Sequence, residues 1–183
     1  HPKIFLFATV IIAGMVSLAT GSSWSTVATI GIALIGVGQA LGIHQGLIAG
    51  AVISGAYFGD KMSPLSDTTN LAPAMAGTDL FTHIRYMTIT TVPAMSITLV
   101  IFLIIGFTYN FESTPGDIEK VLESIQSTFR VTPWLMLVPA FLIFIIIKKV
   151  PPLPALLAGS LMGAAFAIIF QPHLVRQVAE GID

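Results

Sequence analysis

The sequence predicts an all-α membrane protein, a polytopic helical bundle that contains a helical hairpin and a discontinuous, unwound transmembrane helix. Of its 183 residues, 55% are hydrophobic and only 9% are charged, whereas a soluble domain carries about 25% charged residues. No Lys, Arg, Asp or Glu lies between Lys3 and Asp60 or between Arg85 and Glu112. Such charge-free stretches are typical of segments that cross the hydrocarbon core of a bilayer.

Composition also excludes several functional classes. Eight Lys and Arg stand against nine Asp and Glu, so there is no basic excess with which to bind nucleic acid. The chain contains no Cys, and its four His are scattered, which argues against disulfides and transition-metal sites. Common nucleophile and nucleotide-binding motifs are absent. The sequence therefore predicts no enzyme and no cofactor, and its first predicted partner is the lipid bilayer.

Two apolar runs predict a helical hairpin over residues 4–43. The first run covers residues 4–19 and the second continues from the turn to Leu41, each near the ~20 residues that span a bilayer. Between them, residues 20–26 form a Gly, Ser and Thr cluster around Trp24. This composition predicts a turn, which is either a loop at the membrane surface or a hairpin tip buried within the protein.

A break is expected after this hairpin. One helix from Trp24 to Gly59 would be ~50 Å long, too long for one crossing, and His44 and Gln45 are the polar place to end it. We expect His44 to be interfacial rather than a proton carrier. Small residues also recur at intervals of four and predict a helix face for close packing. They are Gly38, Gly42, Gly46, Gly50 and Ser54.

Residues 45–80 predict a transmembrane helix that is broken in the middle. Pro64 removes the amide donor that the carbonyl of Asp60 would need and favours an extended Ser63, and Pro73 has the same effect on the carbonyl of Thr69. Unwound backbone at membrane depth is tolerated where it lines a cavity or is buried in protein. The alternative is a solvated surface loop. The segment offers oxygen ligands that suit a small hard cation: Asp60, Asp67, Ser63, Ser66, Thr68, Thr69 and Asn70.

The remaining sequence predicts three transmembrane helices and one loop helix. Apolar runs place the three at residues 86–108, 133–147 and 153–170, and residues 112–130 have the apolar spacing of a short amphipathic helix. The positive-inside tendency places the basic residues that flank these helices on the cytoplasmic side. They are His83, Arg85, Lys148 and Lys149, and the acidic loop then lies outside.

Residues 54–72, which contain the Pro break and both carboxylates, closely resemble the signature of the NhaC family of sodium/proton antiporters. Residues 77–85 resemble its continuation, and residues 20–26 resemble the family's Gly/Ser/Thr-rich turn around a Trp. The resemblance implies membership of the wider ion-transporter superfamily. In that superfamily a hairpin tip meets an unwound helix at a cation and substrate site, so a buried tip is expected.

The resemblance also implies a biological setting. It implies a multi-pass protein of a bacterial cytoplasmic (inner) membrane that transports Na+ and H+. Members are longer than this chain, which begins at His1 without an initiator Met, so we expect it to be an internal part of a longer carrier. Relatives include carriers that exchange malate with sodium for lactate, so malate and lactate are further candidate substrates. A homodimer is compatible with the sequence.

The predicted activity is secondary sodium/proton antiport, which requires one site that a proton and a cation occupy in turn. We expect Asp67 to be the shared ligand of Na+ and H+, with Ser66, Thr68 and Thr69 completing its shell. Asp60 and Lys61 are expected to form an ion pair that positions the turn at Pro64. Exchanging the roles of the two aspartates is the next variant.

The hairpin tip is expected to close the site from the opposite side, aided by the positive end of the helix that follows it. The supporting tip residues are Ser22, Ser23, Ser25 and Thr26. A sodium-coupled malate/lactate antiporter is the alternative function. A passive cation channel and a membrane scaffold without transport are the rivals from other classes.

Overall fold

The computed structural model describes residues 2–108, 123 and 132–181, and every regular element in these ranges is a helix. Four of the helices are long and apolar enough to cross a bilayer, which confirms the predicted all-α membrane protein. The helices are α1 (Pro2–Thr20), α2 (Ser23–Ala40), α3 (Gln45–Met62), α4 (Asp67–Ala76), α5 (Leu80–Thr108), α6 (Leu137–Ile147), α7 (Pro152–Phe170) and α8 (Pro172–Glu180). The candidate spans are α1, α2, α5 and α7.

The chain divides into two compact units, His1–Val121 and Leu122–Asp183. In the first unit, α1, α2 and α3 pack around a buried apolar cluster that includes Leu6, Val10 and Ile48. In the second, α6 follows a 3-10 turn and packs against α7, and the short helix α8 follows α7 directly. The amphipathic loop helix predicted at residues 112–130 lies outside the described residues, apart from residue 123.

A tight turn joins α1 to α2 in the segment predicted as a hairpin. Gly21 has a φ of +71°, a left-handed conformation that glycine adopts without a steric penalty. Ser22 is extended and caps α2 by accepting a hydrogen bond from the amide of Ser25 at 3.2 Å. Helix α2 contains one wide π-helical turn, Val27–Gly31. Residues 20–26 therefore reverse the chain as their composition predicted.

The chain breaks between α2 and α3 where length required it. Helix α3 begins at Gln45, and the Nδ1 of His44 caps it by accepting a hydrogen bond from the amide of Gly46 at 3.1 Å. The break separates Gly38 on α2 from Gly46 and Gly50 on α3. The prediction of one continuous glycine face is therefore wrong, because two helices with an irregular connection do not share a rotational phase.

Close helix packing occurs instead between α1 and α3, at Gly55 and Gly59. A Cβ atom at Gly55 would collide with the carbonyl oxygen of Val10, and one at Gly59 with that of Gly14. Small residues let helix backbones approach in this way inside membranes. The contact fixes which face of α3 points toward α1.

Helix α3 ends at the predicted Pro break. Ser63 is extended, with φ −82° and ψ 126°, and residues 63–66 are all buried, which contradicts the solvated-loop alternative. The carbonyl of Asp60 is not left free, because it accepts hydrogen bonds from the Ser63 amide at 3.1 Å and the Thr69 hydroxyl at 3.2 Å. We call residues 63–66 the unwound segment.

Two further predictions about this region are corrected. Pro73 does not interrupt the helix, since α4 continues through it to Ala76. A proline removes one amide donor but does not always end a helix. Helix α5 begins at Leu80, six residues before the predicted start. Asp79 allows this early start because its carboxylate accepts a hydrogen bond from the amide of Thr82 at 3.0 Å in the first turn.

Candidate functional site

The turn between α1 and α2 lies against the unwound segment. A Cβ atom added at Gly21 would lie 2.6 Å from the carbonyl carbon of Leu65, so the turn approaches the break as closely as glycine permits. Ser63 links the two, because its hydroxyl donates to the carbonyl of Leu18 at 2.8 Å and accepts from the amide of Leu65 at 3.2 Å. The hairpin tip and the broken helix therefore form one polar junction.

Asp60 lies at this junction, in the last turn of α3. Its Oδ2 accepts a hydrogen bond from the hydroxyl of Ser23 at 2.8 Å. Its Oδ1 is buried and has no hydrogen-bond partner among the described residues. Ser23 is the first residue of α2, so the carboxylate faces the positive end of that helix. An unpaired buried carboxylate oxygen is costly unless it meets a proton or a cation.

Lys61 does not pair with Asp60, contrary to the prediction. The lysine side chain is exposed, and no carboxylate lies within 4.0 Å of its ammonium group in the part of the chain that the structure describes. Consecutive residues on an α-helix point about 100° apart, so neighbouring charges need not meet. Asp60 faces the tip of the hairpin, and Lys61 lies on another face of α3.

Thr69 fastens the start of α4 to the end of α3. Its hydroxyl is buried and lies 3.2 Å from the carbonyl oxygen of Asp60 and 3.3 Å from that of Lys61, to which it donates. The Nδ2 of Asn70 donates to the carbonyls of Pro64 at 2.7 Å and Ser66 at 2.6 Å. These two side chains hold the backbone of the break in place.

Asp67 lies in the first turn of α4 and is exposed. Its Oδ1 accepts a hydrogen bond from the amide of Thr68 at 2.8 Å. Ser66 is buried, caps α4 through the amide of Thr69 at 3.4 Å, and shares a hydroxyl hydrogen bond with Thr68 at 2.9 Å. Among the described residues, no hydrogen bond joins Asp67 to the hairpin tip. The structure therefore brings Asp60 to the hairpin tip and leaves Asp67 exposed at the start of α4.

The tip hydroxyls have different roles. Thr26 is buried, donates to the carbonyl of Ser22 at 2.8 Å and lies 3.4 Å from the hydroxyl of Thr20. Ser22 caps α2, and Ser25 is exposed. Of the three predicted tip serines, Ser23 is the one that contacts a carboxylate.

Two buried hydroxyls of α1 were not predicted as part of this region. Ser17 donates its hydroxyl hydrogen to the carbonyl of Ala56 at 2.5 Å and ties α1 to α3. The hydroxyl of Thr9 is buried without a partner among the described residues. The available signal was a polar side chain inside an otherwise apolar run, since buried hydroxyls usually find partners on a neighbouring helix.

The oxygen-rich junction has the chemistry of a hard-cation site. Within the described ranges, no three His, Cys, Asp or Glu side chains cluster together. The groups that meet at Asp60 are a carboxylate and a hydroxyl at a helix N-terminus, next to an unwound backbone. Oxygen ligands of this type suit cations such as Na+ rather than soft transition metals.

Comparison with known proteins identifies one family and several relatives. A model described as the Na+/H+ antiporter family matches residues 55–182. The malate-2H+/Na+-lactate antiporter of Bacillus subtilis is 46% identical over 173 residues, which cover 93% of this chain and 37% of that protein. No solved structure matches the chain significantly.

Two other relatives are named for different activities. The Na+/H+ antiporter NhaC of Alkalihalophilus pseudofirmus is 45% identical over 170 residues, covering 93% of this chain and 37% of the relative. The arginine/ornithine antiporter ArcD of Halobacterium salinarum is 37% identical over 174 residues, covering 93% and 36%. The chain therefore spans well under half the length of these relatives.

Proposed function

We propose that this chain, which belongs to the Na+/H+ antiporter family, carries the ion-binding site of a carrier that exchanges sodium ions for protons. The resemblance to the NhaC family drawn from residues 54–72 is confirmed by the match to NhaC relatives at 41% and 45% identity. Membership of an antiporter family, with its apolar helices, indicates an integral membrane transporter rather than an enzyme. We place the carrier in a bacterial cytoplasmic membrane as a multi-pass protein.

Asp60 is the proposed shared ligand of Na+ and H+. The observation that carries this assignment is its buried Oδ1, which has no partner among the described residues. Either a proton on the carboxylate or a sodium ion beside it would satisfy that atom. A site that holds one or the other, but not both, couples the two fluxes in opposite directions. Asp60 thus takes the role that the sequence first suggested for Asp67.

The surrounding groups divide the work of binding and positioning. The hydroxyl of Ser23 donates a hydrogen bond to Asp60. The lone pairs of the same hydroxyl oxygen can coordinate a bound cation. The positive end of α2 lies beside this carboxylate. Ser63 and Thr69 hold the unwound segment beside it through backbone carbonyls. Unwound helices at membrane depth serve such sites in secondary transporters.

Asp67, with Ser66 and Thr68, remains the second candidate for the same role. Asp67 lies at the N-terminus of α4, where a negative charge is favourable, and it is exposed in this chain. In the proposed arrangement Asp67 is an exposed acidic group near the junction that attracts Na+ on its way to Asp60.

The test is proton movement in inside-out vesicles that contain the full-length protein, after sodium is added to an established pH gradient. Asp60→Asn removes the negative charge with little change in shape, so we expect sodium-dependent proton flux to be lost. Asp67→Asn is expected to retain flux with a weaker apparent sodium affinity. Asp79→Asn, which alters a helix-capping aspartate outside the junction, is the matched control and should behave like the wild type.

Comparable expression of all variants makes the comparison interpretable. Flux retained in Asp60→Asn and lost in Asp67→Asn would reverse the two roles. Flux that requires added malate and lactate would favour the sodium-coupled carboxylate exchange named for the Bacillus subtilis relative. Passive sodium entry without proton movement would indicate a channel, and no flux of either ion would indicate a scaffold.

A further inference from the structure

We propose that the groove between α3 and α5 binds a small aliphatic carboxylate through Lys61. This site is separate from the cation site at Asp60 and does not depend on sodium/proton exchange there. Lys61 lies on α3, which packs against the candidate spans α1 and α5, and a charge within such a bundle is costly unless it has a partner or reaches water. The groove gives its ammonium group a recognisable surrounding.

Each wall of the groove is one face of a helix. The groove has a volume of about 220 Å³ and is lined by Ser54, Tyr57, Phe58 and Lys61 from α3 and by Thr91, Ala94, Met95 and Thr98 from α5. Both sets have the spacing i, i+3, i+4, i+7, which places their members on one side of an α-helix. Each set therefore has a hydrophilic residue at both ends and an aromatic or apolar pair between them, while the glycine face of α3 contacts α1.

The free hydrogen-bonding groups in the groove are donors. Lys61 has no ion pair within the described ranges, and an ammonium group offers three donors and no acceptor. Ser54 and Thr98 already donate to the carbonyls of Gly50 and Ala94, at 2.7 and 2.9 Å. The hydroxyls of Tyr57 and Thr91 make no hydrogen bond to the described part of the chain, so both can donate to a ligand. A carboxylate, which only accepts hydrogen bonds, matches this set.

Size and polarity restrict the ligand further. Pockets for drug-sized molecules usually measure roughly 300–1,000 Å³, so a groove of about 220 Å³ suits an acid of a few carbon atoms. Phe58, Ala94 and Met95 provide an apolar wall for its carbon chain. The oxygens of Ser54 and Thr98 are left as acceptors for a hydroxyl group on the ligand. A small hydroxy acid therefore fits the groove better than a bare inorganic anion.

The experiment is equilibrium binding of radiolabelled lactate and malate to the purified full-length protein. Lys61→Gln removes a charged donor, and we expect it to weaken binding by about tenfold or more. Thr91→Val removes a neutral donor and should weaken binding about threefold to tenfold. Thr90→Val is the matched control, because Thr90 is the neighbouring residue on α5 and its hydroxyl bonds to the carbonyl of Met87. Lys61→Arg keeps the charge and should retain most of the binding.

Two outcomes would overturn the proposal. One is an unchanged affinity for lactate and malate in the Lys61→Gln variant, provided that this variant elutes as a folded protein in gel filtration. The other is the absence of saturable lactate or malate binding while phosphatidylglycerol binds the wild type and not Lys61→Gln, which would make Lys61 a lipid contact. Sodium-dependent proton flux is measured on the same preparations. If the wild type binds carboxylate but shows no sodium-dependent proton flux, the proposed antiport is refuted and the Lys61 site is retained.

Discussion

The hydroxyl of Ser23 is the contact that ties the carboxylate of Asp60 to the hairpin tip. The bond joins a neutral donor to a group that is charged when the site is deprotonated, and bonds to charged groups are stronger than neutral ones. Ser23 is also only 2% exposed, so a water molecule cannot readily replace its hydroxyl as the donor to Asp60. The serine is therefore well placed to set the cation affinity of the proposed site.

Replacing Ser23 by Ala is expected to raise the sodium concentration that gives half-maximal proton flux by about tenfold, because a donor to the carboxylate and a cation ligand are both lost. The measurement is a sodium titration in inside-out vesicles. Ser25→Ala is the control, since Ser25 is exposed and its hydroxyl is not bonded to Asp60. An equal shift in both variants would show that Ser23 acts on the turn rather than on the site.

At this scale the sequence predicted the local backbone geometry but not the arrangement of the candidate ligands. Pro64 and the residues around it were sufficient to predict an extended Ser63 and a cluster of oxygen ligands. They could not decide between Asp60 and Asp67, because the helical phase on either side of a break is independent. The orientation of α3 is set by glycine contacts with α1, which are long-range and invisible in local sequence. The orientation of α3 also explains why Lys61 does not pair with Asp60, since the two side chains lie on different faces of this helix.

Among the elements of the first unit, α1 and α3 make the most extensive contact between described helices. A Cβ at Gly59 would meet the carbonyl of Gly14 and would also lie 2.6 Å from the backbone nitrogen of Leu18. Backbone atoms cannot rotate away as a flexible side chain can. Helices packed in this way tolerate no added methyl group without moving apart.

Gly59→Ala is therefore expected to destabilise the protein by about 1–3 kcal/mol, measured as a lower thermal unfolding midpoint of the detergent-solubilised protein. Gly36→Ala is the matched control, because nothing lies within 4 Å of a Cβ at that position on α2. In a helix interior that change should be neutral or stabilise by up to ~1 kcal/mol. Equal effects of the two substitutions would contradict the close contact of α1 with α3.

Element prediction succeeded where periodicity or length gave a strong signal. Both the reversal at residues 20–26 and the break before Gln45 follow from composition and from the length that a bilayer allows. The short helix α8 was not predicted, because it has only nine residues and few apolar ones. The early start of α5 was missed because charged residues in its first turns resemble a loop, although Asp79 caps them.

On the scale of the whole molecule, the number of crossings sets which loops face the cytoplasm. Helices α5 and α7 are candidate spans by length and composition, and Pro133–Ile147 is a shorter apolar helix between them. The positive-inside tendency predicts that Arg85 and Lys148 lie on the cytoplasmic side and Arg176 on the outside, which requires each of these three helices to cross once. The fold class follows from hydropathy alone, whereas the side-to-side packing of the helices does not.

Cysteine labelling tests this topology directly. The chain has no Cys of its own, so single substitutions Arg85→Cys, Lys148→Cys and Arg176→Cys give unambiguous sites in it. A membrane-impermeant maleimide should label the first two in inside-out vesicles and the third in right-side-out vesicles. Labelling of Arg85→Cys and Lys148→Cys from opposite faces would refute an even number of crossings between them.

The glycine contact between α1 and α3 also limits how the site can open. No layer of side chains separates the two backbones at Gly55 and Gly59, so one helix cannot shear past the other without collision. We therefore expect α1 and α3 to move together, with Asp60 on α3. Helix α2 is attached to this carboxylate through Ser23 and contains a wide π-helical turn at Val27–Gly31, a feature that often marks a hinge. A movement of α2 relative to the α1–α3 pair is therefore the change that we expect to open the proposed site.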